Sequence, residues 1–94
     1  MQDLQRTVRA RIFGRVQGVS YRVWARSQAQ SLGLAGWVRN EGDGSVLALI
    51  SGPEAAITAM IERLWQGPRG ASVAMVEIEE GADDDAPSDF RIVI

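Results

Sequence analysis

Nine residues near the N-terminus, Gly14-Arg15-Val16-Gln17-Gly18-Val19-Ser20-Tyr21-Arg22, place two glycines ahead of an arginine that falls where a helical pattern begins. A loop between a strand and a helix can turn successive backbone N–H groups toward one point. The helix start adds the positive end of its dipole, and Arg22 adds a full charge. The stretch is therefore a candidate seat for a phosphate-like anion. Asn40 is the second polar residue of interest, at the start of the Gly-rich turn Glu41-Gly42-Asp43-Gly44. Its amide has two readings, a group for a ligand or a turn residue held by local backbone bonds. The chain has no histidine and no cysteine. That removes the commonest general base, the thiolate nucleophile and the commonest metal ligands, leaving Arg, Asn, Ser, carboxylates and backbone groups for any chemistry.

The charge distribution supports a small anionic ligand over a polyanion. Residues 1–40 hold seven arginines against the single acid Asp3, a balance of +6, whereas residues 41–94 hold three arginines against eleven acids, a balance of −8. All ten cationic residues are arginine, a side chain suited to two-pronged recognition of oxyanions, although a GC-rich genome explains such usage equally well. A pI near 5.0 argues against a general nucleic-acid binder. At 94 residues, with 46% apolar and 23% charged residues, the chain fits one globular domain. No apolar run reaches the roughly 18 residues a membrane-spanning helix needs. The segment Met1–Arg6 lacks the apolar core of a signal peptide, so a cytoplasmic location is the expectation.

These residues must be positioned by the surrounding elements. Residues 7–13 alternate, with Val8, Ala10 and Ile12 on one face and Arg9 and Arg11 on the other, which predicts a half-buried strand. Residues 22–32 carry Ala25, Ala29 and Leu32 at helical spacing, and Gly33 supplies the stop. Strands are expected at 35–40 and 45–51, joined as a hairpin by the 41–44 turn. Ser51 and Glu54 stand at capping-box spacing with Pro53 in the first turn of a second helix, whose apolar face is Ala56, Ile57, Met60, Ile61 and Leu64 and which ends at Gly67-Pro68-Arg69-Gly70. Residues 72–79 read as a strand of mixed parity that could contain a bulge. Residues 81–89 read as a solvated loop and 90–94 as a short last strand. The order βαββαβ plus that strand is an α+β, ferredoxin-like α/β sandwich, with two helices on one face of an antiparallel sheet ordered 4-1-3-2. In this topology the first two strands run the same way with the third between them. The 14–22 loop and Asn40 then meet at one sheet edge, about 9–10 Å apart between backbones.

Residues 12–22, Ile-Phe-Gly-Arg-Val-Gln-Gly-Val-Ser-Tyr-Arg, resemble the first signature of the acylphosphatase family. Gly36-Trp37-Val38-Arg39-Asn40, followed by Gly44-Ser45-Val46 and Gly52, resembles the second, and the likeness extends over almost the whole chain. Tyr21 departs from the usual Phe or Met, and its hydroxyl needs a partner if buried. The resemblance implies hydrolysis of an acyl phosphate to a carboxylate and inorganic phosphate, with no metal, cofactor or covalent enzyme intermediate. It implies that Arg22 grips the phosphate, that the backbone of Arg15, Val16, Gln17, Gly18, Val19, Ser20 and Tyr21 forms the cradle, and that Asn40 orients the attacking water. The expected partner is a small-molecule acyl phosphate, not nucleic acid or membrane, and the expected state is a monomer.

Simpler readings stand beside these. Trp24, Trp37 and Trp65 are expected to be packing residues, and Arg9, Arg11, Arg15 and Arg26 to lie on solvated faces. Leu47 and Leu49 point away from the expected core and would be partly exposed, a hint of self-association. Asp83-Asp84-Asp85 reads as an acidic connection because its spacing does not match a calcium loop. The alternative functions are a non-catalytic ferredoxin-like module that binds an anion or RNA, and the acylphosphatase-like domain of hydrogenase-maturation carbamoyltransferases, which would act on carbamoyl phosphate.

Overall fold

The computed structural model describes residues 4–81 and 86–93, so the Asp83–Asp85 run lies outside the described residues. The elements run β1 (Gln5–Arg15), α1 (Tyr21–Ser31), β2 (Ala35–Asn40), β3 (Val46–Pro53), α2 (Glu54–Gln66), β4 (Ser72–Glu80) and β5 (Phe90–Ile92). The sheet order is β4-β1-β3-β2-β5. Its first four strands pair antiparallel, as expected. β5 instead adds to β2 in parallel, so the sheet is mixed rather than wholly antiparallel.

Alternation along the central strands sorts their side chains by face. Val8, Ala10 and Ile12 of β1, Val38 of β2, and Val46, Ala48 and Ile50 of β3 form the buried floor. Helix α1 covers it with Ala25 and Ala29, small residues that allow close approach, and α2 covers it with Ile57, Met60 and Leu64. Asn40 shares the parity of Gly36 and Val38, so β2 carries its amide on the helix-covered side. The register aligns Ile12 with Val46 and Val46 with Asn40, placing Asn40 level with Ile12, near the C-terminal end of β1, across a single intervening strand.

Several local expectations give way to long-range pairing. β1 runs from Gln5 to Arg15, beyond the expected 7–13, because its ends pair with Pro53 and Ser72. The Ser51/Glu54 capping box does not form. Ser51 belongs to β3, its hydroxyl hydrogen-bonds the Thr7 hydroxyl at 2.8 Å, and Pro53 precedes α2 without a side-chain cap. Leu47 and Leu49 do point away from the helices but are buried, at 5% and 0% exposure. Trp37 and the aliphatic stems of arginines occupy the same face, and Leu49 also lies beside Gly81. Trp65 is 48% exposed, whereas Trp24 packs against the core. The mixed parity of β4 is a bulge. Phe13 pairs with Met75 and Gly14 with Val73, so Ala74 is the extra residue.

Candidate active site

The bulge shapes the entry to the loop. Gly14 has φ +129°, and a Cβ there would overlap the Ser72 carbonyl oxygen and lie 2.8 Å from the Ala74 nitrogen. Only glycine lets β1 and β4 approach this closely before the chain leaves the sheet. Arg15 is the last, exposed residue of β1, and Val16 then buries its side chain. Val19 packs against the core from the other end of the loop. Between these anchors Gly18 and Ser20 take left-handed conformations, with φ +75° and +63°, while Gln17 and Val19 do not. Such alternation turns N–H groups to one side, and for the non-glycine Ser20 it costs about 1–2 kcal/mol.

Ser20 is the residue preceding α1, yet its side chain caps nothing, and the first turn of α1 contains no acid. The first helical bond runs from Trp24 N to the Ser20 carbonyl, so the N–H groups of Tyr21, Arg22 and Val23 have no intrahelical acceptor. α2 differs: Glu54 lies in its first turn, and the Glu54 N–H donates to the Leu4 carbonyl at 2.7 Å. The positive end of α1 is thus left open to an anion. The helix start is fixed from beneath by Tyr21, whose hydroxyl donates to the Leu64 carbonyl at 2.7 Å. Burial pushes the Tyr21 hydroxyl above its ordinary pKa, keeping it a donor.

Val16, Gly18, Ser20, Tyr21, Arg22, Val23 and Asn40 line one cleft of about 310 Å³. Arg15, Gln17 and Val19 do not line it. Arg22 is half-buried, and among the described residues it has no hydrogen-bond or ion-pair partner. By contrast, Arg39 and Arg11 both reach the Glu41 carboxylate, at 3.0 and 3.5 Å. Asn40 Oδ1 is fully buried without a hydrogen-bond partner, the one such side-chain atom among the described residues. A buried acceptor left open carries a desolvation cost of about 1–3 kcal/mol unless a ligand or water meets it.

No local pattern marks the side-chain role of Gln17. Its amide Nε2 donates to the Glu41 and Ser45 carbonyls, both at 2.9 Å, and so ties the loop to the β2–β3 turn immediately after Asn40. The turn is held further by Asp43 Oδ1, which accepts from the Ser45 N–H at 2.9 Å and the Ser45 hydroxyl at 2.5 Å. These bonds hold the Asp43 carboxyl below its usual pKa. The Asp-x-Ser spacing was a readable sign of that turn; the Gln17 contacts, to backbone carbonyls 24 and 28 residues away, were not.

A larger hollow of about 560 Å³ lies on the helix-free sheet face, lined by Arg9, Arg11, Leu47, Glu77, Ile78 and Glu79. There Arg9 stands opposite Glu79 and Arg11 opposite Glu77, so its charges are internally matched. The smaller cleft, with an unopposed arginine and an open helix end, is the better anion site. Among the described residues no group of three or more acidic side chains is placed to hold a metal ion, and no helix is long and apolar enough to cross a membrane.

Comparison with known proteins finds the acylphosphatase family profile matching residues 8–92. An acylphosphatase of Mesorhizobium japonicum is 63% identical over 93 residues, covering 99% of each chain. Among solved structures, the acylphosphatase of Bacillus subtilis superposes with a TM-score of 0.90 at 33% identity, covering 97% of this chain and 100% of its own. That of Coxiella burnetii gives 0.89 at 37% identity, covering 95% and 93%.

Proposed function

This chain belongs to the acylphosphatase family, a family of hydrolases, and from that premise we propose that its cleft binds the phosphoryl group of an acyl phosphate through Arg22 and the 16–21 backbone while Asn40 orients the attacking water. One observation carries this reading: Asn40, whose buried Oδ1 has no hydrogen-bond partner, lines the same cleft as the unpaired Arg22. The acyl phosphate brings its own good leaving group, so the reaction needs charge compensation and a placed nucleophile more than a strong base.

Arg22 supplies a planar fork for two phosphate oxygens. The free N–H groups at the start of α1 and in the left-handed loop meet the remaining oxygens and the charge that gathers on them in the transition state. Water held by the Asn40 amide forms the new O–P bond. The P–O bond to the acyl group breaks, and the carboxylate departs with the bonding electron pair. An amide is no base near neutral pH, so the protons of the water pass to phosphate oxygens, giving inorganic phosphate. Gln17 and Val19 support the cradle from behind, and Arg15 lies at its margin.

The same reading takes residues 1–94 as one domain, a cytoplasmic monomer acting on a small molecule rather than on nucleic acid. The preference for a small molecule over nucleic acid is supported by the pI near 5.0 and the matched charges of the open sheet face. Arg22→Lys, which keeps the charge but loses the fork, tests the grip. Hydrolysis of an aryl acyl phosphate should fall at least about tenfold in kcat/KM and inhibition by inorganic phosphate should weaken. Full activity in this variant refutes the bidentate contact.

A further inference from the structure

The phosphate-binding groups occupy one part of a cleft that has room for more. At about 310 Å³ it spans roughly ten times the volume a water molecule takes in the liquid. Its polar lining is Arg22, Asn40, Ser20 and the loop backbone, and two of its apolar residues, Val16 and Tyr21, are only 1% exposed. Val23 differs. It lines the cleft, follows Arg22 directly, and is 52% exposed, one of four large apolar side chains among the described residues left so open. Two others, Leu4 and Met75, do not line the cleft, and Trp65 does not either. The acyl substituent of a phosphate held by Arg22 and the start of α1 has to lie outside the polar cradle, and Val23 is the one exposed large apolar residue among those lining the cleft.

We infer that Val23 is a specificity-determining residue that packs against the acyl group, so that acyl phosphates with an apolar or aryl acyl group are preferred over those with a minimal one. The inference rests on the hydrolytic reading above. The contact is half solvent-exposed, so it discriminates less than a closed hydrophobic pocket, in which one methylene is worth at least about tenfold. It is made in ground and transition states alike, which puts its effect in KM rather than kcat.

The test measures kcat and KM for benzoyl phosphate and acetyl phosphate, with the Ki of inorganic phosphate, in wild type, Val23→Thr and Val23→Ser. Val23→Thr keeps the branched shape while replacing a methyl by a hydroxyl, and Val23→Ser removes both methyls. The benzoyl-to-acetyl ratio of kcat/KM should fall about three- to tenfold, more in Val23→Ser, through a raised benzoyl phosphate KM and with the phosphate Ki held. An unchanged ratio in both variants overturns the inference alone, as does a phosphate Ki that rises in step with KM. Hydrolysis of neither substrate by wild type overturns the hydrolytic reading and this inference with it.

Discussion

Replacing Gln17 by leucine keeps the side-chain volume and removes two hydrogen bonds, to the Glu41 and Ser45 carbonyls. Neither acceptor is orphaned. Ser45 O keeps the Glu41 N–H at 2.8 Å, and Glu41 O keeps the Gly44 N–H at 3.2 Å. The loss is then the net value of two bonds, about 0.5–1.5 kcal/mol each, without the larger penalty of a stranded polar group. A change of about 2 kcal/mol lowers Tm by roughly 8–16 °C in a domain of this size. The catalytic loss is expected to be larger in proportion, because the amide couples the phosphate loop to the strand end that carries Asn40, and a misplacement of about 1 Å can cost about 100-fold. Assayed well below the melting transition, Gln17→Leu should lose tenfold or more in kcat while the Ki of phosphate moves less. In Gln17→Glu the introduced carboxylate faces two carbonyl oxygens, so it should be worse than Gln17→Leu near neutral pH. The gap should narrow as pH falls and the carboxyl, its pKa raised by those oxygens, takes up a proton and becomes a donor. Wild-type kcat in Gln17→Leu, or a lowered Tm with kcat intact, refutes the positioning role.

Gly14→Ala forces a Cβ against the Ser72 carbonyl and the Ala74 nitrogen at a left-handed backbone angle; denaturant melts should show a loss beyond the common 1 kcal/mol of a point substitution, roughly 2–4 kcal/mol. Asp43 has a lowered folded-state pKa, so the stability it contributes is present above its unfolded value near 3.8 and is lost as pH falls through the folded value. Wild type should therefore melt above Asp43→Ala at pH 6, and the two curves should converge in acid.

Much of the fold was legible because its causes are local and repetitive. The Val8-Ala10-Ile12 alternation, the Ala25/Ala29 spacing and the turn at 41–44 each report a period or a turn preference that survives in the folded chain. The cleft was legible through topology: a third strand inserted between the first two brings Arg22 and Asn40 to one edge. What was not legible depends on partners distant in sequence. Ser51 met the rule for a helix cap, but β3 pairing carried it into the sheet, where the Thr7 hydroxyl takes its bond. Parity places Leu47 and Leu49 on the face away from the helices, but parity alone does not reveal that this part of the face is buried. Gln17 looked like one more backbone donor in the loop, and its amide proved to be the tie between the two halves of the site.

The central claim is that the loop and Arg22 bind the phosphoryl group while Asn40 acts on the water. Asn40→Ala separates the two roles. With an aryl acyl phosphate as substrate, kcat should fall by at least about 100- to 1,000-fold, while the Ki of inorganic phosphate stays within about twofold of wild type. Retained turnover, or phosphate inhibition lost together with turnover, contradicts that division of labour.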